Sequence, residues 1–433
     1  MFDFKEQNLK PAVVAALQRI FFLCDKDQDS LLSPTEIYSL QQKCFDKPLS
    51  EADLNELKRV ISTLDPTAIV STPANPSESG LTEHGFVLLN KLFAERGRHE
   101  TVWNILRKFH YTDSLSLRDS FLLPKLDCPT NCSVELSPSG YRCFVDLFSL
   151  FDKDNDGALN PNELQSLFRP TPGLPETFQH RGSVRDEEGN ITLQGWLAHW
   201  SMETRVDYKT TLKYLAYLGY EDGMGKGTVS ALKVTKARKR KTGPGGKLKG
   251  VGREGKGGRV ERNVLLCYVF GKRGSGKVLS LLLPMTNKQS CLLDAFLNRP
   301  FKDGLIENSE AQPRCVVNSV ETAGAQKYLI VLFLDAGSNI QLEEIPEQET
   351  DEILGDAKAL DNVDVICLTY DSADADSFAF IADLRVYLRC LELTFRIVFL
   401  SLILFPQFTR QQKQTSTDKS KDVTSSLIHI PAN

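Results

Sequence analysis

Asp25-Lys26-Asp27-Gln28-Asp29-Ser30-Leu31-Leu32-Ser33-Pro34-Thr35-Glu36 and Asp152-Lys153-Asp154-Asn155-Asp156-Gly157-Ala158-Leu159-Asn160-Pro161-Asn162-Glu163 are two copies of one pattern. In both, carboxylates stand at alternate positions of the opening half and a glutamate closes the run. Alternation along a tight turn points the acids to one side, where their charges repel unless a cation sits among them. A hard cation such as Ca²⁺ takes roughly six to eight oxygens, more than one or two side chains supply. A twelve-residue loop meets that demand with side chains at positions 1, 3, 5, 9 and 12 and the carbonyl at position 7.

That is the EF-hand pattern, and it assigns every ligand. In the first loop these are Asp25, Asp27, Asp29, the Leu31 carbonyl, Ser33 (directly or through water) and Glu36 with both oxygens. In the second they are Asp152, Asp154, Asp156, the Ala158 carbonyl, Asn160 and Glu163. The competing reading is an acidic turn on a solvated surface. A glutamate at position 12 in both copies, with apolar flanking helices, argues against it. Position 6 is Ser30 in one loop and Gly157 in the other. The turn there favours positive φ, where a Cβ costs on the order of 1 kcal/mol, so the second loop is expected to bind calcium more tightly.

Working outward, each loop is preceded by an amphipathic run. Val13, Leu17, Ile20 and Phe21 lead into Asp25, and Phe144, Leu147, Phe148 and Phe151 into Asp152, both at helical spacing. Downstream of each comes a second helix-loop-helix without the acids. One begins at Gly80-Leu81-Thr82-Glu83-His84-Gly85-Phe86 and runs to Phe93; the other begins at Asn190-Ile191-Thr192-Leu193-Gln194-Gly195-Trp196 and runs to Trp200. Leu81-Thr82 and Ile191-Thr192 are the candidate strands of these silent partners. Leu32 and Leu159, at position 8 of the acidic loops, are where a short β-bridge to them is expected.

The chain has 433 residues, 41% apolar and 25% charged, the proportions of a globular protein with room for several domains. Its ten cysteines show no paired metal spacing, and Met1–Lys10 lacks an apolar secretory segment, which suits free thiols in a reducing compartment. The net charge of −4 is small. A basic, Gly-rich block from Lys233 to Arg262 reads as part of a flexible linker over 221–262, with no interleaved aromatics for stacking bases, so no nucleic-acid partner is expected.

Beyond it, Val264–Phe270, Tyr328–Leu334 and Val363–Tyr370 are short apolar runs typical of buried strands in an α/β domain. The first runs into Gly271-Lys272-Arg273-Gly274-Ser275-Gly276-Lys277, the G-x-x-x-x-G-K of phosphate-binding loops. Its glycines bring backbone N–H groups onto a phosphate, and Lys277 reaches the outer oxygens. A basic Gly-rich turn without a ligand is the plain alternative. Val278 stands where Ser or Thr would hold Mg²⁺, and Ser290-Cys291-Leu292-Leu293-Asp294-Ala295-Phe296-Leu297 reads as the displaced helix, with Ser290 the displaced Mg²⁺ ligand. Residues 278–289 and 331–341 each interrupt an otherwise continuous pattern, begin with Val and end with Gln, as translated introns would. The second contains an apolar run with no evident place in a sheet.

With these elements in this order, the chain resembles the Miro family, the mitochondrial Rho GTPases. The resemblance rests on the two acidic loops, the Leu81-Thr82 and Ile191–Trp196 segments, Trp103–Phe109, Ser133–Ser137, Tyr214–Tyr220, Gly271–Lys277 and Tyr370-Asp371-Ser372. It implies two EF-hand pairs (1–110 and 111–220), the linker, and an incomplete P-loop GTPase-like α/β domain over 263–385. It implies GTP with Mg²⁺ at Gly271, Gly274, Ser275, Gly276, Lys277 and Ser290. It implies mitochondrial trafficking or tethering proteins as partners, and attachment to the cytosolic face of the mitochondrial outer membrane. The family's N-terminal GTPase domain and C-terminal anchor have no counterpart in the sequence, and no N-K-x-D guanine-reading segment is present. A calcium-sensing scaffold without GTPase activity is the alternative. Residues 386–433 do not resemble the family; Ile397–Phe405 is apolar, but Arg396, Glu392 and Arg389 break any span of about 20 residues. A translated intron or misread frame is one account of this tail and an interfacial anchor the other.

Overall fold

The computed structural model describes residues 1–236 apart from residue 4 and the stretches 47–48, 72–78, 130–131, 180–181 and 222–226. Beyond these it describes 262–270, 296–297, 315–322, 325–333, 363–371, 375–390 and 396–402.

Helix α1 (Pro11–Cys24) starts at a proline, whose missing N–H is no loss in a first turn. It buries Val13, Leu17, Ile20 and Phe21 completely, the stripe read from the sequence. The first acidic loop follows and contains strand β1 (Leu31–Leu32). Helix α2 (Pro34–Phe45) opens with a capping box between Ser33 and Glu36. After α3 (Glu51–Leu64) and strand β2 (Ile69–Ser71), strand β3 (Ser79–Thr82) pairs antiparallel with β1 and β2. The register is Leu31 opposite Thr82 and Leu32 opposite Leu81, so the expected bridge forms at the expected residues. Helix α4 (Glu83–Glu95), capped by Thr82, lays Phe86 against Phe21 at 6.2 Å, and α5 (His99–Lys108) closes the unit.

The second unit repeats the plan. Strand β4 (Cys132–Leu136) precedes α6 (Pro138–Phe151), the second acidic loop with β5 (Ala158–Leu159), and α7 (Pro161–Leu167). Strand β6 (Ile191–Thr192) pairs with β5, Leu159 opposite Ile191. In both silent partners the glycine three residues past the threonine cap lies under a carbonyl. A Cβ on Gly85 would stand 2.3 Å from the Ala68 oxygen, and one on Gly195 1.9 Å from that of Val184. This close approach explains the shared Thr-x-x-Gly. Phe144, Phe168, Phe178, Trp196 and Trp200 make the core, with Phe144 stacked on Trp200 at 4.5 Å and its carbonyl accepting from the Trp196 indole. The run expected to end at Trp200 continues as α8 (Leu193–Tyr217), bent at Asp207, whose φ of −141° and ψ of 84° are not helical.

Two sequence readings are corrected here. The linker does not begin at 221 as flexible chain: Leu232–Lys236 is strand β7, antiparallel to β4 from Cys132–Lys236 to Leu136–Leu232. Val234 and Thr235 among the lysines let it extend. And the run at 331 has a place in a sheet.

Strands β8 (Val264–Phe270), β9 (Cys315–Thr322), β10 (Ala325–Phe333), β11 (Val365–Asp371) and β12 (Arg396–Leu402) form one sheet in the order β9-β10-β8-β11-β12. β8 lies at its centre, parallel to β10 and β11, with Cys267 opposite Val331 and Val269 opposite Phe333. Val331–Phe333 therefore belong to a central ladder. Helix α9 (Ala375–Cys390) runs through position 385, and β12 pairs parallel with β11 from Arg396 to Leu402 beyond it. Central position, buried on both faces, is why β8 is almost wholly apolar.

The sheet is seated on the second EF unit. Glu135, fully buried, accepts from the backbone N–H groups of Asn263 (3.0 Å) and Val264 (3.1 Å) and faces the Lys233 ammonium at 3.4 Å. The two EF units also touch. Arg19 on α1 donates to the carbonyls of Ala216 (2.8 Å) and Tyr217 (3.2 Å) at the end of α8. Phe22 and Phe151 stack at 5.9 Å, and Arg169 pairs with Glu83 at 2.9 Å.

Candidate metal centres

Each acidic loop is held by its own backbone. Asp25 accepts from the N–H of Ser30 (2.9 Å) and Asp29 (3.2 Å), and Asp29 from that of Leu31 (2.8 Å). Glu36 accepts from Ser33 N–H at 2.9 Å and from its hydroxyl at 2.8 Å, which swings the closing carboxylate back over the loop. The carboxylates of Asp25, Asp27 and Glu36 converge within 4.8 Å of one another. Asp29 stands outside that set, turned towards the Leu31 amide.

The second loop follows the same wiring. Asp152 accepts from Gly157 N–H (3.1 Å), Asp154 from Asp156 N–H (3.3 Å) and Asp156 from Ala158 N–H (2.7 Å). Glu163 accepts from the N–H groups of Lys153 (2.9 Å) and Asn160 (3.0 Å). Here Asp152, Asp154 and Asp156 converge, and Glu163 stays outside the set in its capping box with Asn160. The backbone conformation expected at position 6 is present in both: φ is +69° at Ser30 and +84° at Gly157.

The electrostatics of the two loops differ. Burial pushes the Asp25 carboxyl up to about 7, against the lowering effect of the Ser30 N–H; Glu36 and Asp29 raise it further by repulsion. Burial also raises Asp29, which Lys153 partly offsets. Crowded carboxylates that repel one another fit a divalent cation, which removes the repulsion. In the second loop the fit shows differently: Asp152 Oδ1 is buried without a hydrogen-bond partner, an acceptor that a cation would satisfy. The donors are all hard oxygens, which suits Ca²⁺ over softer ions.

Sequence reasoning missed Lys153. Its ammonium lies 3.4 Å from the carbonyl of Asp27 and 3.3 Å from that of Gln28, in the other loop. No local pattern signals a contact between residues so far apart in the chain. Gly271, Gly274, Ser275, Gly276, Lys277 and Ser290, with residues 278–289, lie outside the described residues.

Fold and loops together define an EF-hand protein of two tandem pairs, each an acid-bearing loop bridged to a silent one. Family models agree: residues 47–140 and 177–245 match EF hand associated domains, and residues 144–174 match an EF-hand domain. The chain is homologous to proteins named mitochondrial Rho GTPase 1. It is 50% identical over 390 residues to one from Neurospora crassa, covering 89% of this chain and 55% of that protein. For Yarrowia lipolytica the figures are 43% over 456 residues, 100% and 62%; for Candida albicans, 41% over 410 residues, 89% and 52%. The chain thus spans between about half and three-fifths of the length of these relatives. Among the described residues no helix is long and apolar enough to cross a membrane.

Proposed function

We propose that the chain is a calcium-sensing protein of the mitochondrial Rho GTPase type, taking one Ca²⁺ in each acidic loop. In the first loop the ligands are Asp25, Asp27, Asp29, the Leu31 carbonyl, Ser33 and Glu36. In the second they are Asp152, Asp154, Asp156, the Ala158 carbonyl, Asn160 and Glu163. The observation that carries this reading is the pair of carboxylate clusters, each braced through a β-bridge to an acid-free sister loop. The bridge braces the position 7 carbonyl and the start of the exit helix, so part of the oxygen set is arranged before the ion arrives, and Asp29 and Glu163 are left to turn in. Bound Ca²⁺ supplies charge neutralisation, and with it an ordering of the loop that the attached helices feel.

From the family come guanine nucleotide with Mg²⁺ at Gly271–Lys277 and Ser290, partners in mitochondrial trafficking or tethering, and the cytosolic face of the mitochondrial outer membrane. Strand β8 supports the first of these, because it leads towards Gly271 from between two parallel neighbours at the centre of the sheet, as strands before phosphate loops do. The second reading, a calcium-sensing scaffold without GTPase activity, is favoured by Val278, which has no oxygen for Mg²⁺.

Calorimetric titration of the intact chain tests the calcium sites. Two sites are expected, with one lost in Glu36→Gln and the other in Glu163→Gln; no uptake at millimolar Ca²⁺ overturns the reading. Titration of a fluorescent GTP analogue, with and without residues 278–289, separates the two accounts of the nucleotide. Tight binding by the intact chain defeats the scaffold reading.

A further inference from the structure

The two calcium loops lie next to each other, which neither their sequence nor the pairing of each with its silent partner requires. Phe22, three residues before Asp25, stacks on Phe151, the residue before Asp152, with ring planes 17° apart. Arg169, two residues past α7, stands over the Phe22 ring at 5.9 Å and pairs with Glu83 of the first unit. The ends of the two entering helices are thereby fixed against each other. Across this contact Lys153, at position 2 of the second loop, donates to the carbonyls of Asp27 and Gln28, at positions 3 and 4 of the first.

We propose that Lys153 is an affinity-determining residue of the first calcium site, contributed by the second loop. The inference rests on the reading of Asp25–Glu36 as a calcium site. Its physics is direct. Without a divalent ion, the first loop carries four carboxylates and the ammonium lies against it, within hydrogen-bonding reach of the carbonyls of Asp27 and Gln28. With Ca²⁺ among those carboxylates half of their charge is cancelled and the ammonium loses that part of its attraction, so its presence opposes loading. The main chain of Lys153 is tied to Glu163, the closing ligand of its own loop, by the 2.9 Å bond from its N–H.

The size of the effect follows from Coulomb's law. One charge about 8–10 Å from a divalent ion at a solvated surface changes the binding constant by roughly threefold at low salt. Screening at about 0.5 M salt removes most of that.

The test is calorimetric Ca²⁺ titration of the full chain in the Glu163→Gln background, where only the first site binds. Adding Lys153→Met is expected to tighten that site about threefold at low salt and to leave it nearly unchanged at 0.5 M. Adding Lys153→Arg instead retains the wild-type affinity, because charge and not length is what acts. A first site that ignores Lys153→Met at low salt overturns the inference while leaving the calcium reading standing. Equal tightening by Met and Arg overturns it too. A Glu163→Gln chain that takes up no calcium at all overturns both.

Discussion

Replacing Ser30 by glycine isolates a single backbone angle. Ser30 holds φ at +69°, its side chain is exposed, and its N–H is the donor to Asp25. Glycine keeps the N–H and loses only an exposed Cβ and hydroxyl. For an L-residue this left-handed conformation costs roughly 1–2 kcal/mol, and for glycine almost none. If the loop relaxes when calcium leaves, that strain is charged to binding. Taking the lower end, about 1 kcal/mol, Ser30→Gly tightens the first site roughly fivefold. Gly157→Ser does the reverse in the second loop, where φ is +84° and a Cβ would meet nothing within 4 Å, so strain acts without any clash. The assay is calorimetry with the opposite site silenced, Glu163→Gln for the first and Glu36→Gln for the second. Unchanged or weaker calcium binding by a folded Ser30→Gly chain would refute the argument, because nothing else at that position changes.

Other expectations follow from the packing. Gly195→Ala drives a methyl to 1.9 Å from the Val184 carbonyl, so the silent loop must shift; thermal unfolding should show a loss of about 1–3 kcal/mol. Leu81→Ala empties a buried position opposite Leu32 and should cost about 2–5 kcal/mol in denaturant unfolding, with calcium affinity at the first site falling as the bridge loosens. Stability should also fall in acid through His199. Burial lowers its imidazole to about 3, Arg185 adding to the effect, and its Nε2 meets the Thr177 hydroxyl that donates to Glu203. Because the unfolded chain takes up that proton near pH 6.5 and the folded chain does not, stability drops by about 1.4 kcal/mol per pH unit below 6.5. A His199→Gln chain that keeps the full slope between pH 6.5 and 4.5 would count against this.

Much of the EF-hand half could be read from the sequence because its information is local. Spacing alone identified Leu32 and Leu159 as bridge residues, Leu81 and Ile191 as their partners, and Ser30 as a strained position. The same reading stopped α8 at Trp200, because Asp207 and the polar residues around it break the apolar period while the chain merely bends there. It treated Leu232–Lys236 as linker, because lysines on an edge strand look like lysines in coil; only the partner, Cys132–Leu136, distinguishes them. And it found no place for the run at 331, since a strand's place depends on which neighbours await it, here β8 on one side and β9 on the other. Lys153 was invisible for a related reason: what it touches is set by how two separate cores meet.

Arg19 bears on how the molecule can answer a signal. Its guanidinium, nearly enclosed, fastens the middle of the first helix of one lobe to the last turn of the longest helix of the other, with Tyr111 and Tyr217 flanking it. The lobes are yoked. A swing of one lobe about the other would strip this enclosed guanidinium of both carbonyls, so the contact opposes such a motion.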